Sequence, residues 1–248
     1  MTDVCEAVIL MAGQGSRLRG TAKTFLKPMV SLLGKPLISY TLEALASRGI
    51  NTLYFVVGYE SERMIAETKR LVSPGATASF IKNEQWQKQN GISVLAAAGH
   101  VSAPFLLAMG DHVFDDTIID RLLDNFEPGL LNIAIDRKLD SIVDLDDAMK
   151  VQTRGNKVTA IGKNLQSYDA IDTGLFVCSS EIFTYLEQAK SANSGSDCSL
   201  AAGIQLMTVD DKVRGIDIGS GRWNDIDTPR VLEHAEQDTS WRTPRSLN

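Results

Sequence analysis

The chain has 248 residues, 44% of them hydrophobic and 23% charged, and a formal net charge of -6. This is the composition of one large α/β domain, or a domain and a half, with a sizeable core. The acidic balance and the lack of any Lys/Arg block exclude a general nucleic-acid or anionic-membrane surface, so any phosphate binding needs a local pocket. Cys5, Cys178 and Cys198 lie far apart without metal spacing and read as reduced thiols of a cytoplasmic protein. Asp3 and Glu6 precede only a short apolar run, so no signal peptide is expected. Apolar runs stay below the ~18 residues of a spanning helix, so membrane insertion is not expected either.

The first half alternates strand and helix. "AVILMA" (7–12) is a short apolar strand, and "LISYTLEALASRG" (37–49) has helical spacing and closes on glycine. "TLYFVVGY" is a second strand, and "SERMIAETKRLV" a second helix with Ser61 as N-cap. "TASFIKN" and "PFLLAMGDHVF" follow as strands, the latter broken at Gly110-Asp111, and "DTIIDRLLDNF" as a helix. That order predicts a parallel sheet covered on both faces. Further on, "LNIAIDRK", "DAMKVQTRGNKVTAIGKN" and "AIDTGLFVCS" read as strands joined by turns, with a hairpin at Arg154-Gly155-Asn156. "SEIFTYLEQAKS" is a helix with Ser180 as N-cap, "KVRGIDIGSGRWNDIDT" a returning strand, and "TPRVLEHAEQ" a last helix with Pro229 in its first turn. One domain over residues 1–236 is expected, with a loose polar tail at 237–248.

The stretch "LMAGQGSRL...KTFLKPM" carries the chemistry. Gly13-x-Gly15 lacks the third glycine of the dinucleotide fingerprint and the Lys-Ser/Thr of a Walker loop. It does follow a strand, and its glycines free backbone N–H groups to face an anion. Arg17 can reach a phosphate as a fork, and Lys27 comes next, held extended by Pro28. Glycines alone would mark an ordinary β-to-α turn; the assembly with Arg17 and Lys27 points to phosphate.

This stretch resembles the G-x-G-(S/T)-R…K-P signature of the sugar-phosphate nucleotidyltransferase family. "NEQWQKQNGISV", "MGDHVFDD", "DDAMKVQ...GNKVTAIGKNL", "YDAIDTGLFV" and "WNDIDTPRVL" follow in order. Together they look like the CTP:inositol-1-phosphate cytidylyltransferases, with phosphocholine and aminoethylphosphonate cytidylyltransferases as close relatives. The resemblance implies an α/β fold of the nucleotide-diphospho-sugar transferase type: a Rossmann-like mixed sheet with a smaller inserted sheet, the acceptor-side insert at about 130–180. It implies a cytoplasmic enzyme joining CTP to a small phosphorylated or phosphonate acceptor, with Mg²⁺; a homodimer is carried as an expectation.

By that resemblance Leu10, Ala12, Gly13, Gly15, Ser16 and Arg17 hold the nucleotide, with Asn83, Gly91 and Ser93 reading the base. Asp111 ends a strand, where open α/β sheets place ligands, and Mg²⁺ asks for one or two carboxylates. Asp111 is thus an implied metal ligand, the second being Asp225 or Asp227, with Asp227 preferred. Asp115 and Asp116 fit better as residues opening the following helix. Strand lysines usually sit solvated at an edge. Here Lys163, and less so Lys150, is expected to face the acceptor phosphate opposite Lys27, with His112, Asp172 and Thr173 near the acceptor. Arg17, Lys27 and Lys163 form the expected catalytic set. A choline acceptor would want an aromatic cage, and only Tyr168 and Phe176 flank Asp172, which favours a hydroxyl-rich or small anionic acceptor. The Asn, Gln and Cys content suits a mesophile, so the product is expected to feed a pathway other than a heat-protective solute. The alternatives are a regulatory protein that binds nucleotide without turnover and, less well supported, a dinucleotide-dependent oxidoreductase.

Overall fold

The computed structural model describes residues 4–19, 25–238 and 241. The first strand, β1 (Glu6–Met11), shows how the sheet is buried. Ala7, Ile9 and Met11 project into one core cluster, and Val8 and Leu10 into another. Alternation within an unbroken apolar run is what a strand covered on both faces requires. There follow α1 (Ser16–Arg19), β2 (Ser31–Leu32), β3 (Lys35–Pro36), α2 (Leu37–Ser47), β4 (Thr52–Val57), α3 (Ser61–Lys69) and β5 (Thr77–Lys82). Next come α4 (Asn90–Ala96), β6 (Phe105–Met109), β7 (His112–Phe114) and α5 (Asp116–Asn125). The second half adds β8 (Leu131–Asp136), β9 (Lys150–Arg154), β10 (Lys157–Gly162), β11 (Ala170–Cys178), α6 (Glu181–Ala192) and α7 (Leu200–Val209). β12 (Val213–Asp217), β13 (Trp223–Asp225) and α8 (Pro229–Gln237) complete the described elements.

Nine strands form one mixed sheet in the order β5-β4-β1-β6-β11-β8-β12-β10-β9. β5, β4, β1 and β6 are parallel; β11 runs antiparallel between β6 and β8, and β12 returns parallel to β8. Two small ribbons, β2–β3 and β7–β13, stand apart. The stretch 130–180 supplies β8 to β11, which continue the main sheet, and the β9–β10 hairpin turns at Gly155 as expected. Leu42 and Leu45 of α2 and Ile118 and Leu122 of α5 cover one face. Ile92 of α4, Leu186 of α6 and Ile204 of α7 cover the other. A third cluster, including Leu32, Tyr40, Val113, Ile226, Val231 and Trp241, joins both ribbons to α2 and α8.

Topology sets the position of the site. From β1 the chain steps outward to β4 and β5, then returns to β6 on the other side of β1. The crevice lies where the two directions part, beyond the carboxyl ends of β1 and β6.

Several local readings are corrected. Ser61 is the first residue of α3, and the N-cap position falls on Glu60 in a left-handed conformation (φ 49°). Ser180 stands at the N-cap of α6 with near-helical backbone angles and no side-chain cap hydrogen bond. At α8 the cap does form, Thr228 accepting from Val231 N at 3.3 Å ahead of Pro229. The returning strand is two strands, β12 and β13, belonging to different sheets. The segment carrying Asn83, Gly91 and Ser93 contains the helix α4, and α7 is an element the sequence pattern does not predict. Most of the tail lies outside the described residues, but Trp241 is buried against Tyr40 and under the Arg222 guanidinium, so the chain is anchored there. Among the described residues no helix is long and apolar enough to cross a membrane.

Candidate active site

β1 ends at the glycine loop, and Arg17 rises from it on α1. Gly15 has φ +63°, and a Cβ there would lie 2.7 Å from the Lys27 Cβ. A side chain would therefore be strained and would push Lys27 away. Lys27 opens a short 3-10 turn with Pro28 behind it, and its side chain is 5% exposed. Asp111 follows β6, and the β7–β13 ribbon sets Asp225 opposite His112.

These pieces converge on one ammonium. Lys27 Nζ lies 2.5 Å from Asp111 Oδ2 and 3.6 Å from Asp225 Oδ1, and it also bonds Asp227. Burial alone would lower the Lys27 pKa; the three carboxylates outweigh it and raise it. Asp227 also holds Arg17, which pairs in addition with Asp147. Burial opposes ionisation of Asp225, yet His112 and then Lys27 hold its carboxyl well below the usual range. His112 Nε2 is 3.5 Å from Asp225 Oδ1 and 3.9 Å from Asp111 Oδ1, while Nδ1 donates to Thr173 O at 2.8 Å. Burial would lower the imidazole pKa, but Asp225, Asp111 and the Thr173 carbonyl push it up to about 10. The ring is fixed by Trp223 stacked 5.9 Å away and by Gly174, where a Cβ would fall 2.4 Å from His112 Nδ1. Gly174 sits at φ +78° in an irregular stretch of β11, and Asp172 Oδ1 accepts its N–H at 2.8 Å. Burial pushes the Asp172 carboxyl up to about 6.

A cavity of about 600 Å³ runs over this cluster. Its walls include Leu10, Ala12, Gly13, Arg17, Ser93, Asp111, His112, Lys163, Asp172, Asp225 and Asp227 from the sequence reading. A smaller cavity of about 250 Å³ is lined by Gly13, Gly15, Ser16, Arg17, Lys27, Asp111 and Asp227. The glycine loop thus faces a second compartment as well, and Gly13 and Arg17 line both.

Four expected residues are placed otherwise. Thr173 is fully buried and its hydroxyl donates to Ala134 O at 2.9 Å, so its side chain is unavailable to an acceptor. Lys150 is turned inward and donates to the carbonyls of Lys163 (2.8 Å) and Asp146 (3.2 Å); it fixes the backbone beneath Lys163. The close approach at Gly91 is to Cys198 and Ser199, where a Cβ would meet Cys198 O at 2.6 Å, so this glycine serves packing of α4 on the chain entering α7. Asn83 is buried and donates to Ser93 Oγ at 3.0 Å, holding the residue that does line the cavity. Tyr168 lies under the Lys150 ammonium and Phe176 is in the core, so neither builds a cage. Asp115 binds Thr117 and the Arg222 N–H at the start of α5, away from the cluster.

The sequence reading missed Asp147 and Trp223. Asp147 pairs with a residue 130 positions away, which no local pattern reveals. Trp223 is placed by its indole N–H donating to Asp136 at 2.9 Å.

One oxygen of the buried cluster, Asp225 Oδ1, has no hydrogen-bond partner, and ligand atoms of Asp111, His112 and Asp225 all lie within 4.8 Å of one another. A carboxylate oxygen without a hydrogen-bond partner, close to a second carboxylate, offers a divalent metal the oxygen ligands it takes. Asp111 and Asp225 thus form one candidate ligand pair, while Asp227, the second ligand preferred from the sequence, bridges Lys27 and Arg17.

The chain is 29% identical over 232 residues to the bifunctional IPC transferase and DIPP synthase of Aquifex aeolicus, covering 93% of this chain and 51% of that protein. It is 34% identical over 232 residues to the protein of the same name from Thermococcus kodakarensis, covering 94% and 50%. The chain thus spans about half the length of these relatives. The inositol-1-phosphate CTP transferase from T. maritima shares the fold at a TM-score of 0.82 and 26% identity, over 95% of this chain and 96% of that one. The mixed α/β architecture is that of the nucleotide-diphospho-sugar transferases, and nucleotidyl transfer is the reaction of the family. Residues 7–145 match the MobA-like NTP transferase domain, and the chain belongs to that family.

Proposed function

We propose that the protein is a cytidylyltransferase that condenses CTP with a phosphorylated polyol of the inositol-1-phosphate class, releasing a CDP-alcohol and pyrophosphate. The observation that carries this reading is the convergence of Arg17 and Lys27 from the β1 side with Asp111 and Asp225 at one end of a cavity, and Lys163 further along its wall. The names of the relatives supply the substrate pair.

An oxygen of the acceptor phosphate attacks the α-phosphorus, a new P–O bond forms, and the bond to the pyrophosphate oxygen breaks. The nucleophile is already anionic, so no proton needs to move and no side chain has to act as base. Lys27, rigid and buried, neutralises charge at the transferred group, and Arg17 receives the leaving pyrophosphate by the open glycine loop. Lys163 meets the acceptor phosphate, its backbone held by Lys150. Asp172, half-buried with one oxygen on Gly174 N, presents the other to acceptor hydroxyls. Asp111 and Asp225 would hold Mg²⁺, which when bound supplies positive charge to the triphosphate. A nucleotide co-substrate and the buried thiols Cys178 and Cys198 fit a cytoplasmic enzyme.

The test is pyrophosphate release with Mg²⁺, each of the four NTPs, and inositol-1-phosphate, phosphocholine and 2-aminoethylphosphonate in competition. CTP with inositol-1-phosphate is the expected pair. Preference for phosphocholine would overturn the acceptor and keep the reaction; bound NTP without turnover on any acceptor would leave a regulatory protein.

A further inference from the structure

Each cation placed for phosphate already has a carboxylate. Lys27 is held by the metal-site aspartates and Asp227, and Asp227 also takes one nitrogen of the Arg17 fork, but the carboxylate that joins Arg17 to Lys163 is a residue with no role in the reaction above. Asp147 lies between β8 and β9, and its Oδ1 accepts from Lys163 Nζ at 2.5 Å. Its Oδ2 bonds Arg17. Lys163 follows β10 and Arg17 sits on α1, so one side chain joins the acceptor wall to the nucleotide loop. All three line the larger cavity. The heads are solvent-accessible, with Arg17 51% and Lys163 47% exposed, against 5% for Lys27. They are therefore free to re-aim, while Lys150 holds the Lys163 backbone through its carbonyl.

A carboxylate bonded to both cations occupies the positions a phosphate needs. Burial would raise the Asp147 carboxyl, but Lys163 and Arg17 keep it below its ordinary value, so the charge is present at neutral pH. Phosphate oxygens and a carboxylate compete for the same guanidinium fork, and a phosphate brings more charge.

We propose that Asp147 is a stand-in anion, a positioning residue that clasps Arg17 and Lys163 in the ligand-free protein and is displaced by the phosphates of the two substrates. The inference rests on the nucleotidyltransferase reading of the site. Its consequence is coupling: nucleotide phosphates that take Arg17 loosen Asp147 from Lys163, so the acceptor phosphate meets a lysine with less competition.

The test compares the wild-type protein with Asp147→Asn and Asp147→Glu. Calorimetric titration with inorganic pyrophosphate and, separately, with CTP, both with Mg²⁺, reads the competition. Removing two exposed pairs is expected to tighten pyrophosphate binding about 2- to 10-fold in Asp147→Asn, with Asp147→Glu returning toward wild type. A lysine no longer held by a carboxylate is also more open to an acylating reagent. Acetylation of Lys163 by acetic anhydride, read by mass spectrometry on ligand-free protein, should therefore speed up in Asp147→Asn. Pyrophosphate binding that is equal or weaker in Asp147→Asn, or Lys163 labelling no faster than wild type, overturns the clasp. Failure of the nucleotide reading looks different: CTP then binds no more tightly than pyrophosphate to either protein, and Lys163 labelling still decides for or against Asp147.

Discussion

Lys27 is the residue on which the others depend. It is a buried cation facing three carboxylates, and its removal leaves those charges close together with only Arg17 and His112 to offset them. Breaking such a pair costs about 3–5 kcal/mol where both partners are buried, and less here because the aspartates are partly open to water. Lys27→Met should therefore melt lower without metal, regain part of the loss when Mg²⁺ is added, and lose about 10²-fold or more in kcat. Scanning calorimetry with and without Mg²⁺ checks the first two effects, and steady-state pyrophosphate release the third. Asp225 and Asp227 are separated by a further pair of variants. Asp225 shares a ligand group with Asp111, whereas Asp227 bridges Lys27 and Arg17. Asp225→Asn should weaken Mg²⁺ binding measured calorimetrically, and Asp227→Asn should weaken it less while disturbing Arg17. Arg17, Lys27 and Asp111 were legible because each follows a strand or glycine signal in the sequence. Thr173 and Lys150 misled because composition cannot tell which way a strand residue faces when the strand carries an irregularity or meets a sheet edge.

Elements buried on both faces announced themselves. β1, β4 and β6 are apolar runs bounded by glycine or polar residues, and their burial follows the run closely. α7 did not, because "LAAGIQLMTV" mixes small and polar residues into the apolar positions and draws no clear stripe. The order β11-β8-β12-β10 also lay beyond reach, since those pairings join residues far apart in the chain. One such long connection makes a prediction at this scale. Asp169, just before β11, accepts from Thr153 N at 2.6 Å and Thr153 Oγ1 at 2.5 Å on β9, and bonds Arg137. Burial would raise its carboxyl, but Thr153 and Arg137 lower it below its ordinary value. A carboxyl depressed on folding stabilises above its unfolded pKa, about 3.9, and the contribution is lost as pH falls through the folded value. Asp169→Asn should melt below wild type at pH 7, with the difference narrowing as the pH is brought under about 4. Circular dichroism melts across that range decide it, and a gap constant with pH would remove the charge from the explanation.

For the whole molecule, one of the carboxylates proposed to hold metal rests on a core that lies outside the main sheet. Asp225 and His112 are carried by the β7–β13 ribbon, which is paired to no strand of the nine-stranded sheet. Its inner residue Val113, and Ile226 just beyond it, pack in the third cluster with Tyr40 of α2, Val231 and Ala235 of α8, and Trp241. Trp241 closes that cluster: its ring meets Tyr40 edge-on at 6.1 Å and carries the Arg222 guanidinium at 5.3 Å. Arg222 in turn reaches Asp238 at 3.1 Å and stands beside Trp223, the ring that stacks on His112. Trp241, in a tail expected to be loose, is thus linked through Arg222 and Trp223 to His112 at the site. Trp241→Ala removes a large buried ring and should cost about 3 kcal/mol. If the cluster positions the ribbon, the same variant should also weaken Mg²⁺ binding, although Trp241 touches neither Asp111 nor Asp225. Trp241→Phe, which keeps an aromatic face for Tyr40 and Arg222, should recover most of both. Denaturant unfolding gives the stability, and calorimetric Mg²⁺ titration under folded conditions gives the affinity. A Trp241→Ala protein that is less stable yet binds Mg²⁺ as the wild type does would make this cluster a brace for the fold alone.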